Sequence, residues 1–174
     1  MEWIYKITIY LFAAVSIFAA ISDWRQFKIP NLIPLALLVL WPIHVFARPD
    51  IAGWDYSLAA GIITLGIGYF AFSRNWLGGG DAKFLATSIL WVPPGQVLNF
   101  ILVVSIAGGF LCAYLLVIRR MQINKAISVA SSSQTTLEPQ KSALLKQAAP
   151  YGVAIACGCL VTACQLLVNS NTVG

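Results

Sequence analysis

The chain has 174 residues, of which 59% are hydrophobic and only 10% charged. A soluble domain carries about 25% charged residues, so this composition excludes a water-soluble globule and indicates an integral membrane protein. The formal charge of +5 does not point to nucleic acid, because membrane sidedness accounts for it below. Its length leaves room for about six spans, with no soluble domain of ordinary size beside them.

The first apolar run, residues 4–22, begins Met1-Glu2-Trp3-Ile4-Tyr5-Lys6 without a basic leader segment. It is about as long as a full span, so it reads as a retained first helix. Further spans are expected over residues 31–46, 56–72, 81–92, 97–118 and 151–168. The fourth falls short of the ~20 residues that a straight crossing needs. Either Trp76 and Leu77 help it to cross, or its glycine-rich start lies in a recess within the membrane. Residues 119–149 read as a flexible loop, with Ser131-Ser132-Ser133-Gln134-Thr135-Thr136 as linker. The expected architecture is all-α: one polytopic domain over residues 1–174, a bundle of about six transmembrane helices.

The basic residues give the orientation. Loops one, three and five hold Arg25, Lys28, Arg74, Lys83, Arg119, Arg120, Lys125, Lys141 and Lys146, which is nine of the eleven Lys and Arg. The positive-inside rule places these loops in the cytoplasm and both termini outside it. All six tryptophans (Trp3, Trp24, Trp41, Trp54, Trp76 and Trp91) fall near span ends, as an interfacial belt requires. Ala60, Thr64 and Gly68 in span three, and Ala154 and Gly158 in span six, form small-residue faces suited to close helix packing. The cysteines Cys112, Cys157, Cys159 and Cys164 lie inside apolar runs. Cys157-Gly158-Cys159 has neither a partner pair nor nearby histidines, so these read as small packing residues, and neither metal nor cofactor is expected.

Asp23 and Asp81 stand out among only six acidic residues. Each lies at the edge of an apolar run on the side assigned to the cytoplasm. A carboxylate at a helix centre costs about 2.5–3.5 kcal/mol on insertion scales, which makes it a functional candidate. Two nearby carboxylates that share one proton can hydrolyse an amide: the ionised one activates water, and the protonated one gives its proton to the carbonyl oxygen or the leaving amine. Gly78-Gly79-Gly80 permits backbone conformations closed to other residues and lets a substrate backbone approach. Asp81 would then lie near the amino end of a helix, where the dipole favours an anion. Read singly, Asp81 could be a helix cap, and Asp23 could simply end span one.

The two aspartates lie in stretches that resemble a known family. Asp23-Trp24-Arg25-Gln26-Phe27-Lys28-Ile29-Pro30-Asn31 is similar to the D-x-R-x-x-x-I-P-N stretch of type IV prepilin leader peptidases. Gly78-Gly79-Gly80-Asp81-Ala82-Lys83 resembles their G-x-G-D-x-K, and Pro150-Tyr151-Gly152 their P-[YF]-G, in the same order. The resemblance implies an intramembrane aspartyl protease of the bacterial inner membrane with catalytic Asp23 and Asp81. It would remove the short basic leader of prepilins or pseudopilins on the cytoplasmic side. Many bacterial members add a domain with paired Cys-x-x-Cys motifs and methylate the new pilin end. This chain has no such motif, so peptidase activity without methylation is expected, as in the stand-alone enzymes of tight-adherence (Flp) systems. Partners are then the pilin substrate and membrane lipid.

Around the pair, Gly78 and Gly80 are expected to shape the site, and Pro30 and Asn31 to start helix two so that Asp23 is positioned. Lys83 either binds a substrate carboxylate or biases the pair's ionisation, or else it is an ordinary snorkelling lysine. His44, near the outer end of span two, reads as structural. The rival class is a small transporter or channel subunit with Asp23 and Asp81 as proton or cation sites. Such proteins often carry internal repeats, and none is evident here. A non-catalytic assembly factor is disfavoured by the intact pair.

Overall fold

The regular structure is entirely helical in the computed structural model, which describes residues 2–47, 53–130 and 150–172. Its helices, in chain order, are α1 (Glu2–Gln26), α2 (Leu32–Ala47), α3 (Trp54–Ser73), α4 (Gly79–Ile89), α5 (Val97–Ala130) and α6 (Tyr151–Thr172). Four of them, α1, α3, the Val97–Met121 part of α5 and the Tyr151–Ser170 part of α6, are long and apolar enough to cross a membrane. Large apolar side chains such as Ile62, Ile67, Phe110 and Leu116 are exposed on the bundle surface, which suits lipid and not water.

α5 is longer than the expected span. It carries the helix through Arg119, Arg120 and Lys125 to Ala130, so the first part of the expected loop is helical. The Ser131–Thr136 linker and the basic positions 48, 141 and 146 lie outside the described residues.

Packing runs α5–α6–α1–α2–α4–α3, with α4 also touching α6. The seams are built on small residues. A Cβ on Gly68 would lie 3.0 Å from the Ala82 Cβ, and one on Gly61 would lie 2.6 Å from Leu90 Cδ2, so α3 and α4 meet through Ser57, Gly61 and Gly68. Ala60 only flanks that seam. On α6, Ala154 faces Gly108, and Gly158 lies under Val104 and Phe100 of α5, as the small-residue pattern predicts. Where α1, α4 and α6 converge, three fully buried small polar residues meet: the Cys159 thiol donates to Ser88 Oγ at 3.2 Å and is also bonded to Ser16. Ser16 and Ser88 themselves donate to the Phe12 and Phe84 carbonyls.

α4, at the expected fourth span, is not among the four helices long and apolar enough to cross a membrane. Its eleven residues rise only about 16 Å at 1.5 Å each. From its far end the chain continues through Leu90, Trp91 and Val92, all buried. Irregular backbone at that depth must find partners inside the protein. Trp91 and Val92 donate back to Ser88 and Ile89, and the Val92 carbonyl accepts from Ser57 Oγ at 3.1 Å. Beyond it Pro94 packs against Gly53 at the start of α3.

Trp91 therefore departs from the expected interfacial belt. It is 2% exposed, stacks on Phe12 at 4.6 Å and donates Nε1–H to the Leu37 carbonyl at 3.3 Å. His44 joins this cluster, stacked on Tyr5 at 4.7 Å with Nδ1 2.9 Å from Thr8 Oγ1. It packs at the opposite end of α1 from Asp23, in keeping with a structural histidine.

Candidate active site

Asp23 lies in the last turn of α1, which runs to Gln26, one turn past the expected end of the first span at residue 22. The helix closes immediately after it. Phe27 adopts φ 51°, and its N–H bonds to the Asp23 carbonyl at 2.8 Å, a left-handed cap of the kind glycine usually supplies. An aromatic residue in that conformation is strained. The bend it makes is held by Ser22 Oγ, which donates to the Lys28 carbonyl at 3.2 Å. It turns Ile29 back under the bundle, where its side chain is buried.

The Asp23 carboxylate is buried, at 3% exposure for the residue, so its oxygens need donors. Its own helix end offers carbonyls, the wrong polarity for an anion. The donors come from the opposite direction. Gly152 N–H at the start of α6 bonds to Asp23 Oδ2 at 2.7 Å, and the Val153 N–H adds a second bond. The free N–H groups of a helix start thus hold the carboxylate at the end of its neighbour.

Gly152 is required by space as well. A Cβ there would lie 2.8 Å from Asp23 Oδ2 and 2.7 Å from Ile29 Cδ1. Its role was missed in the sequence, although Pro150-Tyr151-Gly152 was noticed there. A proline that stops a loop, followed by glycine at the start of an apolar helix, was the available signal.

Asp81 is the third residue of α4 and is half-buried. Its carboxylate takes the N–H of Gly78, the residue before the helix, the reciprocal bond of a capping box. Gly78 has φ −68° and ψ 142°, and neither Gly79 nor Gly80 has positive φ. The three glycines therefore supply no conformation reserved for glycine, contrary to the sequence expectation. They supply room. A Cβ on Gly78 would lie 2.6 Å from Asp81 Oδ2, and one on Gly80 would lie 3.0 Å from the Ile29 carbonyl and 3.2 Å from its Cβ.

Ile29 is therefore wedged between two helix starts, touching Gly80 beside Asp81 and Gly152 beside Asp23. The two carboxylates beside these helix starts are close enough for their charges to act on each other. Both aspartates thus sit at one end of the bundle, each on the amino end of a helix, in a part-buried setting able to hold one proton between them.

The remaining expected residues form a separate pair. Pro30 is exposed, its carbonyl accepts from Ile33 N–H, and Pro34 is buried in the first turn of α2. The Asn31 side chain accepts from Lys83 Nζ at 3.2 Å, tying α2 to α4. Lys83 follows Asp81 by two positions, so it leaves α4 on the far side, about 200° round the axis. It does not join the carboxylates.

No curated protein and no solved structure matches the chain. Residues 10–113 match the Type IV leader peptidase family, a stretch that contains both aspartates, Ile29 and the glycine turn but stops before α6. With two carboxylates brought together at one end of a helical membrane bundle, and with that match over more than half its length, the chain belongs to the type IV leader peptidase family.

Proposed function

We propose that this protein is a membrane-embedded aspartic endopeptidase, and that Asp23 and Asp81 are its catalytic pair. The observation that carries the reading is that two carboxylates from different helices interact at one end of the bundle, each held by helix-start N–H groups. One carboxylate takes a proton from the attacking water while the other gives its proton to the substrate carbonyl, and the roles exchange as the amine leaves. A fixed hydrogen-bond set lets the pair accept and release that proton without rearranging. No covalent intermediate is needed.

The substrates are type IV prepilins or pseudopilins, which present a short basic leader followed by an apolar helix. The site faces the cytoplasm across the bacterial inner membrane, with loops one, three and five on that side and both termini outside. Basic residues concentrated in those loops support this sidedness. Cleavage proceeds without N-methylation, in line with cysteines that form no Cys-x-x-Cys pair. Gly78 and Gly80 shape the site, and the chain acts as one domain.

The test is prepilin processing in membranes, read as a gel shift, with insertion of each variant checked. Asp23→Asn and Asp81→Asn should each lower the rate by at least about 100-fold, the scale of lost general acid–base catalysis. The wild-type rate should follow a bell-shaped pH profile. Wild-type cleavage rates in either inserted variant would exclude the aspartyl mechanism.

A further inference from the structure

The three helices that build the site meet again at a second level. Ser16 precedes Asp23 on α1 by seven residues, Ser88 follows Asp81 on α4 by seven, and Cys159 follows Gly152 on α6 by seven. Seven residues make two turns, ~10 Å at 1.5 Å each, and return a side chain to the same helix face within about 20°. The Ser16–Ser88–Cys159 cluster therefore lies directly beneath the aspartates, with one member under each part of the site.

All three side chains are fully buried, where an apolar residue would need no polar partner. Each serine spends its hydrogen on its own helix, at the Phe12 and Phe84 carbonyls. Both hydroxyl oxygens are left as acceptors, and the Cys159 thiol stands between them with the hydrogen they lack. α1 and α4, which carry the aspartates, scarcely touch each other, and α6 lies against both. At the level of the site, Gly152 ties α6 to Asp23, whereas Asp81 bonds to Gly78 of its own helix start. Among the described residues, the hydrogen bond that joins α4 to α6 is the one from Cys159 to Ser88, at 3.2 Å.

We propose that Cys159, bridging Ser16 and Ser88, is a positioning residue of the active site: it sets the separation of Asp23 and Asp81 by locking α4 and α1 to α6 two turns beneath them. Its consequence for cleavage rests on the peptidase reading. Its consequence for helix placement does not, so the two are measured apart.

Placement is read by pulsed electron paramagnetic resonance on the full-length protein in lipid vesicles. Cys112, Cys157 and Cys164 are replaced by alanine, and nitroxide labels are attached at Arg25→Cys and Lys83→Cys, exposed positions beside the two aspartates. Cys159 has no exposed surface to label. The distance between labels should be narrowly distributed with Cys159 present, and broader and longer with Cys159→Ala or Ser88→Ala. Cleavage is read on the unlabelled protein with a synthetic prepilin peptide. Cys159→Ala and Ser88→Ala should each lower kcat about tenfold, within what a small misplacement of a catalytic group costs, and leave KM unchanged. The double variant should fall no further than either single one, because the two side chains make one bond. Cys159→Ser keeps a donor and should restore both the narrow distances and most of kcat. If Cys159→Ala fails to insert, Ser88→Ala, which removes a single oxygen, carries the same comparison.

Unchanged distances in the alanine variants overturn the lock. So does a lower thermal midpoint with kcat per folded molecule unaltered, since that is packing alone. A serine variant as impaired as the alanine one overturns the donor role. Distances that broaden as expected, in a protein whose wild type cuts no prepilin, would support the lock and count against the peptidase.

Discussion

At the scale of single residues, the aspartates are set by atoms that carry no charge. Ile29 fixes the space between Gly80 and Gly152, and both glycines are tight against it. Gly80→Ala would press a methyl on the Ile29 backbone, which cannot step aside as a side-chain end can. Gly152→Ala would press on Ile29 Cδ1 and on the Asp23 carboxylate together. Each should lower cleavage at least tenfold, a size expected when a catalytic group is misplaced by about 1 Å, while the protein still inserts. Gly66→Ala, with open space around its Cα, should leave the rate unchanged; the three are compared in the same gel assay. Asp23 and Asp81 were legible in the sequence because carboxylates are scarce in so apolar a chain. Gly152 and Ile29 were not assigned, since their roles depend on distances between segments far apart in sequence. Of the uses expected of the Gly78–Gly80 run, the special backbone conformation is not taken up: sequence alone does not distinguish a glycine needed for its backbone from one needed for its missing Cβ.

At the scale of elements, the α3–α4 and α5–α6 seams close on small residues, which let helices approach where lipid solvates leucine as well as another helix does, while Phe12, Leu37 and Phe84 fill the core between helices. The α3–α4 seam is the clearest case. Gly68→Leu would force four carbons into a space where one Cβ already lies 3.0 Å from Ala82. It should cost about 1–3 kcal/mol as overpacking, read as a lower thermal midpoint in detergent, with reduced cleavage because α4 carries Asp81. The periodic small-residue pattern showed that such seams exist, and Ala154–Gly158 was placed correctly. Ala60 was misjudged because the buried line on α3 runs one position later, through Gly61. α4 itself could not be measured from hydropathy. It gives way at Leu90–Val92 to irregular backbone, and a buried turn is as apolar as a helix. That also explains Trp91, whose position near a span end was right and whose interfacial role was not.

At the scale of the whole molecule, alternating helix directions bring the ends of α1 and α3 and the starts of α2, α4 and α6 to one side. The proposed sidedness can be read directly. In a background with the four cysteines replaced by alanine, Asn75→Cys at the end of α3 should react with an impermeant thiol reagent only in inside-out vesicles. Asp55→Cys, at the other end of α3, should react only in right-side-out ones. The reverse result would turn the site to the wrong compartment. The bond from Gly152 to Asp23 spans 129 positions, which has a consequence for how the enzyme is born. During synthesis both aspartates emerge long before the Gly152 N–H that holds Asp23, so on the proposed mechanism the nascent chain should be inert until α6 inserts. A chain cut at residue 140 should be inactive as its first piece alone and regain cleavage when the second piece is co-expressed, measured by prepilin processing in the same cells. Activation would then be timed by completion of the protein itself.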